Sequence, residues 1–244
     1  MSSTIILYDI PSNTPTKAWS PNPWKARLAL NMKALSYKTV WVEYPDIAAV
    51  CKKIGAEPTG TRNGKPLYTL PVIQDLATGT VVSDSFKIAQ YLDATYPSTP
   101  FTLVPAGTKA FHAMFLDVWA QKISSKIDPL LGLPSNLTLN PRSAEYFRPM
   151  REAMIGMTLE HYTPQGEARA ALWSTARQGL AEIDGWLKEN GKGTVFFMGG
   201  TPSFADVAVY SSISWLEDML GIGSKEWMDL MAADEGRWAK LVEV

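Results

Sequence analysis

Three short stretches place chemically useful groups where backbone ends are open. The first is Ser20-Pro21-Asn22-Pro23-Trp24-Lys25-Ala26-Arg27. It puts a hydroxyl and an amide at the start of an amphipathic pattern, with Pro in the opening positions where a helix tolerates it. Ser20 and Asn22 can each donate a hydrogen bond to an anion at a helix N-terminus; a Ser in that position can equally cap the helix. The second is Leu70-Pro71-Val72, just before a strand pattern. A cis peptide there would turn the Leu70 N–H and C=O outward, free to pair with an extended peptide. A trans Pro71 would simply open the strand. The third is Ser83-Asp84-Ser85, which begins a helical pattern. Unpaired N–H groups and the positive helix end suit a carboxylate at Ser85, and Asp84 suits an ammonium. Capping by Ser83 or Asp84 is the other reading of the same residues.

Other reactive side chains are scattered. His112 and His161 stand too far from other ligand types for a metal site or a triad. Cys51 is the only cysteine, so no intramolecular disulfide and no cysteine-based zinc site can form. No metal is expected. Ser203-x-x-Asp206 reads as a helix-capping box.

The elements that position these groups can be read from periodicity. The run 4–10 is a buried strand closed by Pro11, and a polar loop leads to a helix from Trp24. A second strand spans 37–44, and a short helix over 47–54 stops at Gly55. A loop covers 55–66, then strands 72–75 and 80–82 form a hairpin, and a helix spans 83–96. The order β-α-β-α-β-β-α gives a mixed sheet with helices on its faces. Three prolines between Tyr96 and Gly107 mark a linker. The remainder of the chain is helical in pattern apart from a loop at 191–202; a long helix over 109–127 carries an aromatic stripe, and the prolines of 129–148 are expected to bend or interrupt the helices there. The domains read as 1–97, a linker 98–107, and an all-helical 108–244.

Composition narrows the partners. The chain has 244 residues, 46% apolar and 19% charged, with a net charge of −1. That supports a sizeable core and gives no electrostatic case for nucleic acid or an acidic membrane. No apolar run reaches membrane-spanning length, and the first residues lack a signal-peptide pattern, so the cytosol is expected.

Taken together, these motifs, in this order and at this spacing, resemble the cytosolic glutathione transferases over nearly the whole chain. The detailed sequence is most similar to the fungal-specific FuA class, itself similar to bacterial lignin β-etherases. The resemblance implies a thioredoxin-like α/β N-terminal domain, an all-α C-terminal domain, glutathione as cosubstrate and a homodimer. It places Ser20 against the glutathione sulfur, with Asn22 as rival, so a serine-type enzyme is expected. Leu70 and Pro71 then take the cysteinyl backbone, and Asp84 and Ser85 the γ-glutamyl end. Trp24 joins the glutathione site, and Lys65, Arg62 or Lys38 stands in at the glycine end, where Thr69 is short. Phe111, Phe115, Trp119 and Trp215 are the expected walls of a site for a hydrophobic or aromatic second substrate. The implied function is detoxifying transfer of glutathione to aromatic electrophiles, with ether cleavage of lignin-like aromatics as one form of it. The alternative is a ligandin that binds aromatic compounds with little turnover.

Overall fold

The computed structural model describes residues 4–191 and 193–243. The chain divides into two compact units, Met1–Pro105 with Leu139–Tyr146, and Ala106–Thr138 with Phe147–Val244. The segment Leu139–Tyr146 thus groups with the first unit, whereas the sequence pattern alone sets all of 108–244 in the second domain.

In the first unit, β1 (Ile5–Asp9), β2 (Tyr37–Trp41), β5 (Val72–Asp75) and β6 (Thr80–Ser83) form one sheet in the order β2-β1-β5-β6. β1 runs parallel to β2 and antiparallel to β5, and β6 is antiparallel to β5. Ile5, Leu7 and Tyr8 are all buried, as a strand covered on both faces requires. The helices of this unit are α1 (Pro21–Met32), α2 (Ile47–Ile54) and α3 (Ser85–Thr95). α1 begins three residues earlier than its apolar pattern, because Pro21 supplies helical φ at a position that needs no N–H.

The expected loop 55–66 holds a small hairpin instead, β3 (Gly60–Arg62) and β4 (Lys65–Leu67). Asn63 and Gly64 make its turn with φ of 51° and 72°, a left-handed pair that twists with the strands it joins.

The second unit is helical. Within it lie α4 (Lys109–Trp119), α5 (Ser125–Thr138), α6 (Pro141–Ile155, whose start falls with the first unit), α7 (Leu159–Tyr162), α8 (Gly166–Lys188), α9 (Phe204–Leu220), α10 (Lys225–Ala232) and α11 (Arg237–Glu243). A π-helical turn over Ala120–Ser124 joins α4 to α5. Pro129 and Pro134 lie inside α5 without ending it; the interruption expected within 129–148 falls between Thr138 and Pro141. The Thr138 hydroxyl donates to the Pro134 carbonyl and helps close that last turn (2.8 Å). No described helix is long and apolar enough to cross a membrane.

Candidate functional site

The sheet register gathers two of the motifs and the exit of β1 at one end. Tyr8 lies opposite Val72, and Val72 opposite Ser83. The exit of β1, the Leu70-Pro71 step and the Asp84-Ser85 step therefore share one edge of the sheet, where α1 and α3 both begin.

The loop from Pro11 to Trp19 consumes its own hydroxyls. Ser12 Oγ donates to the Lys17 carbonyl (3.0 Å) and pairs with Thr14 Oγ1 (2.8 Å), and Thr16 Oγ1 donates to the Ala18 carbonyl (2.9 Å). Ser20 is different. It occupies the cap position of α1 with φ −72° and ψ 130°, yet its side chain makes no capping bond. A capping hydroxyl normally accepts from the second or third helical N–H. Here the third residue is Pro23, which has none. Ser20 is only 6% exposed, and its hydroxyl is not among the buried atoms sealed off without a partner. It is a donor held in place and left unspent. Asn22 is exposed, and its Oδ1 accepts from Lys25 Nζ at 3.1 Å.

Beneath the start of α1, Arg27 anchors the helix to the sheet. Its guanidinium meets the fully buried Asp9 carboxylate at 2.7 Å and Thr39 Oγ1 at 3.3 Å. The rings of Trp24, Tyr37 and Trp41 surround it at 5.8, 5.7 and 5.5 Å. Burial pushes the Asp9 carboxyl above its ordinary pKa, and the Arg27 hydrogen bond and charge pull it back. Trp24 thus stacks on this anchor, close to Ser20 in sequence.

The Leu70-Pro71 peptide is cis. Neither the N–H nor the C=O of Leu70 takes part in a hydrogen bond among the described residues. Asp84 holds a left-handed φ of 78°, a strained position for a non-glycine residue. Its Oδ1 accepts from the N–H groups of Phe86 and Lys87, both at 3.0 Å, and its carbonyl accepts from Ile88. Asp84 is therefore the cap of α3. Among the described residues, the Ser85 N–H alone of the first-turn groups is left open, beside the Ser85 hydroxyl.

Other expected residues lie elsewhere. Lys38 is exposed on the edge strand β2, opposite Ile6. Its row is two residues, roughly 7 Å, from the row of Tyr8, Val72 and Ser83, and β1 lies between it and β5. Lys65 is exposed in the β3–β4 hairpin opposite Arg62. Thr69 pairs its hydroxyl with that of Thr59 at 2.9 Å.

In the second unit, Phe115, Trp119 and Trp215 are 5%, 4% and 8% exposed. Trp119 Nε1 donates to Ser212 and Trp215 Nε1 to Ser135. Phe115 stacks between Phe111 and Trp119, with Phe197 at 4.4 Å. These three rings serve helix packing within the unit, and of the four expected wall residues Phe111 alone is exposed. A groove of about 660 Å³ opens in this unit instead between α8 and α10, lined by Arg169, Trp173, Arg177, Lys225 and Asp229 among others. Its carboxylates are mostly answered: Glu226 by Arg169 and Asp229 by the Trp173 N–H. Sequence patterning also hides Lys25, which looks like the polar face of a helix; its spacing of three from Asn22 is the available signal.

Comparison with known proteins agrees with this geometry. The family model for the glutathione S-transferase N-terminal domain matches residues 19–95, and that for the C-terminal domain matches residues 110–244. A glutathione S-transferase of Ceriporiopsis subvermispora, solved in complex with glutathione, is 46% identical with a TM-score of 0.94, covering 98% of this chain and 95% of that one. Glutathione transferase GSTFuA3 from Phanerochaete chrysosporium is 44% identical with a TM-score of 0.92, covering 98% and 94%. The glutathione S-transferase-like protein ustS of Aspergillus flavus is 29% identical, over 98% of this chain and 88% of its own length.

Proposed function

The chain belongs to the glutathione S-transferase family, and from that premise we propose that it is a serine-type transferase that binds glutathione at the shared end of β1, β5 and β6 and activates its thiol through Ser20. The observation that carries this reading is the Ser20 hydroxyl, on a residue nine-tenths buried, which makes no capping bond and no other hydrogen bond among the described residues. The reading is supported by the backbone of Leu70, unclaimed among the described residues and available to the cysteinyl residue, and by Ser85 with Asp84, available to the γ-glutamyl end. The glutathione complex of a relative 46% identical supports the ligand.

A free thiol of pKa about 8.5 is mostly protonated at neutral pH, and lowering it by two units takes about 2.7 kcal/mol. One hydroxyl bond to a charged sulfur contributes roughly 1.5–3 kcal/mol. Pro21 and Pro23 strip two N–H groups from the start of α1, so the hydroxyl carries most of this stabilisation. Once the proton has left to solvent, the thiolate attacks an electrophilic carbon; the C–S bond forms and the leaving group departs with its electron pair. The second substrate is a hydrophobic or aromatic electrophile, and similarity to the FuA proteins favours lignin-type aromatics, including ethers. The working form is a cytosolic homodimer, which sedimentation at several concentrations checks.

Calorimetric titration with glutathione, followed by a spectrophotometric transfer assay on an aryl halide and an aryl ether, tests this function. Binding and turnover are expected. Absence of glutathione binding refutes the reading; binding without turnover on either electrophile leaves a ligand-binding protein in its place.

A further inference from the structure

Two opposite charges flank the starts of α1 and α3 without joining. Lys25, one turn into α1, is half-buried and makes no ion pair among the described residues; its Nζ donates to Asn22 Oδ1 at 3.1 Å. Asp84, at the head of α3, makes none either, since its Oδ1 is given to the N–H groups of Phe86 and Lys87. α1 packs against α3, and each charge stands in the other's field. Burial holds the Lys25 ammonium below its ordinary pKa, and the Asp84 charge partly restores it. Among the described residues, no other charged group pairs with Lys25.

We propose that Lys25 is a specificity-determining residue of the glutathione site, reading with Asp84 the zwitterionic amino-acid end of the γ-glutamyl group. The proposal rests on the glutathione-binding function argued above. An α-amino acid carries its ammonium and its carboxylate on one carbon. Set between Asp84 and Lys25, it completes an alternation of charges: its ammonium faces Asp84, and its carboxylate faces Lys25 and the open N–H of Ser85. An aspartate and a lysine already paired would have to be pulled apart to admit it; these two have no pair to break. Asn22 restrains the Lys25 ammonium before the ligand arrives, which reduces the ordering that binding must impose. Half-burial strengthens each contact relative to open water.

The test is calorimetry on the full chain with two ligands: glutathione, and the analogue in which 4-aminobutyryl replaces γ-glutamyl. The analogue keeps the ammonium and lacks only the α-carboxylate. Lys25→Met is expected to bind glutathione about 10- to 100-fold more weakly than wild type, the range of one charge-assisted hydrogen bond. Its affinity for the analogue should match that of wild type, and Lys25→Arg should recover most of the loss for glutathione. If Lys25→Met fails to fold, Lys25→Gln takes its place in the same comparison. Equal losses for both ligands would reveal a merely structural role and overturn the proposal, as would unchanged glutathione affinity. A wild type that binds neither ligand instead refutes the glutathione reading itself, and the proposal falls with it.

Discussion

Replacing Ser20 by Ala separates chemistry from folding at a single atom. A cap hydroxyl ordinarily contributes about 0.5–2 kcal/mol to stability. Ser20 makes no capping bond, so Ser20→Ala should move the urea midpoint by less than about 0.5 kcal/mol equivalent. Its effect on bound glutathione should be large. Loss of roughly 1.5–3 kcal/mol of thiolate stabilisation raises the thiol pKa by about 1–2 units. If the wild-type site holds that pKa near 6.5, two units below the free thiol, the thiolate fraction at that pH falls from a half to between about a tenth and a hundredth. Transfer should then slow about 5- to 50-fold. The deficit should vanish above the free-thiol pKa, where hydroxide generates the thiolate unaided. Ultraviolet thiolate absorbance of the bound ligand against pH reads this directly. Ser20→Thr, which keeps the hydroxyl, should titrate close to wild type, and Ser20→Cys should gain exchange with glutathione mixed disulfides. An unchanged titration in Ser20→Ala, together with a shifted one in Asn22→Ala, would refute the assignment and make Asn22 the donor.

Three further outcomes are expected from the same geometry. Asp84→Asn keeps an oxygen for the Phe86 and Lys87 N–H groups but loses the charge; thermal stability should hold within about 0.5 kcal/mol while glutathione affinity drops about 10-fold or more, and equal stability and affinity losses would contradict the split of roles. At Gly179 an added Cβ would meet Ile123 Cδ1 at 2.9 Å and the Lys122 carbonyl at 3.0 Å in the π-helical turn; Gly179→Ala should cost about 1–3 kcal/mol in urea unfolding. Asp218 has a buried carboxylate oxygen without a partner, and burial with the neighbouring Glu217 pushes its pKa up to about 6. A carboxyl raised on folding contributes stability below its unfolded pKa and loses it as pH rises through about 6. Asp218→Asn should therefore stabilise the protein at pH 7, by about 1–2 kcal/mol after solvent screening, and change little near pH 3.5; thermal melts at both values decide it.

The sheet and its helices are readable in the sequence because each arises from a local pattern. The Leu70-Pro71 and Asp84-Ser85 steps stand out through residue types that suit few places in a chain. Ser20 can be named from sequence, but not distinguished from Ser12, Thr14 or Thr16. That distinction depends on which hydroxyls the loop spends on its own carbonyls, a tertiary matter. The Asn63-Gly64 hairpin is visible as a left-handed pair, yet its strands of three residues each are too short to show a period. The stripe of Phe111, Phe115 and Trp119 marks the helix correctly, since spacing by four defines a face. Spacing does not say whether that face meets a ligand or the rest of the fold, and here Ser212 of α9 and Phe197 of the loop before it meet it. The prolines of 129–148 announce a helix break without fixing which of them marks it: Pro129 and Pro134 each remove one hydrogen bond and leave α5 continuous, while the chain breaks just ahead of Pro141.

The segment Leu139–Tyr146 gives the first unit an unusual relation to its own synthesis. Asn13 reaches the Leu139 carbonyl, Asn140 and Ser143 hold Glu43, the Tyr44 N–H donates to Ser143, and Arg142 grips Asp46. A nascent chain that has emerged only as far as Pro105 has every strand of the sheet but none of these ties. The loop that presents Ser20 and the turn after β2 must wait for residues translated later before they are fastened. Domains ordinarily complete themselves from the N-terminus as they leave the ribosome. Here the boundary visible in the sequence is not the boundary at which the first unit becomes whole, and a fragment cut at that boundary would be a sheet without its strap.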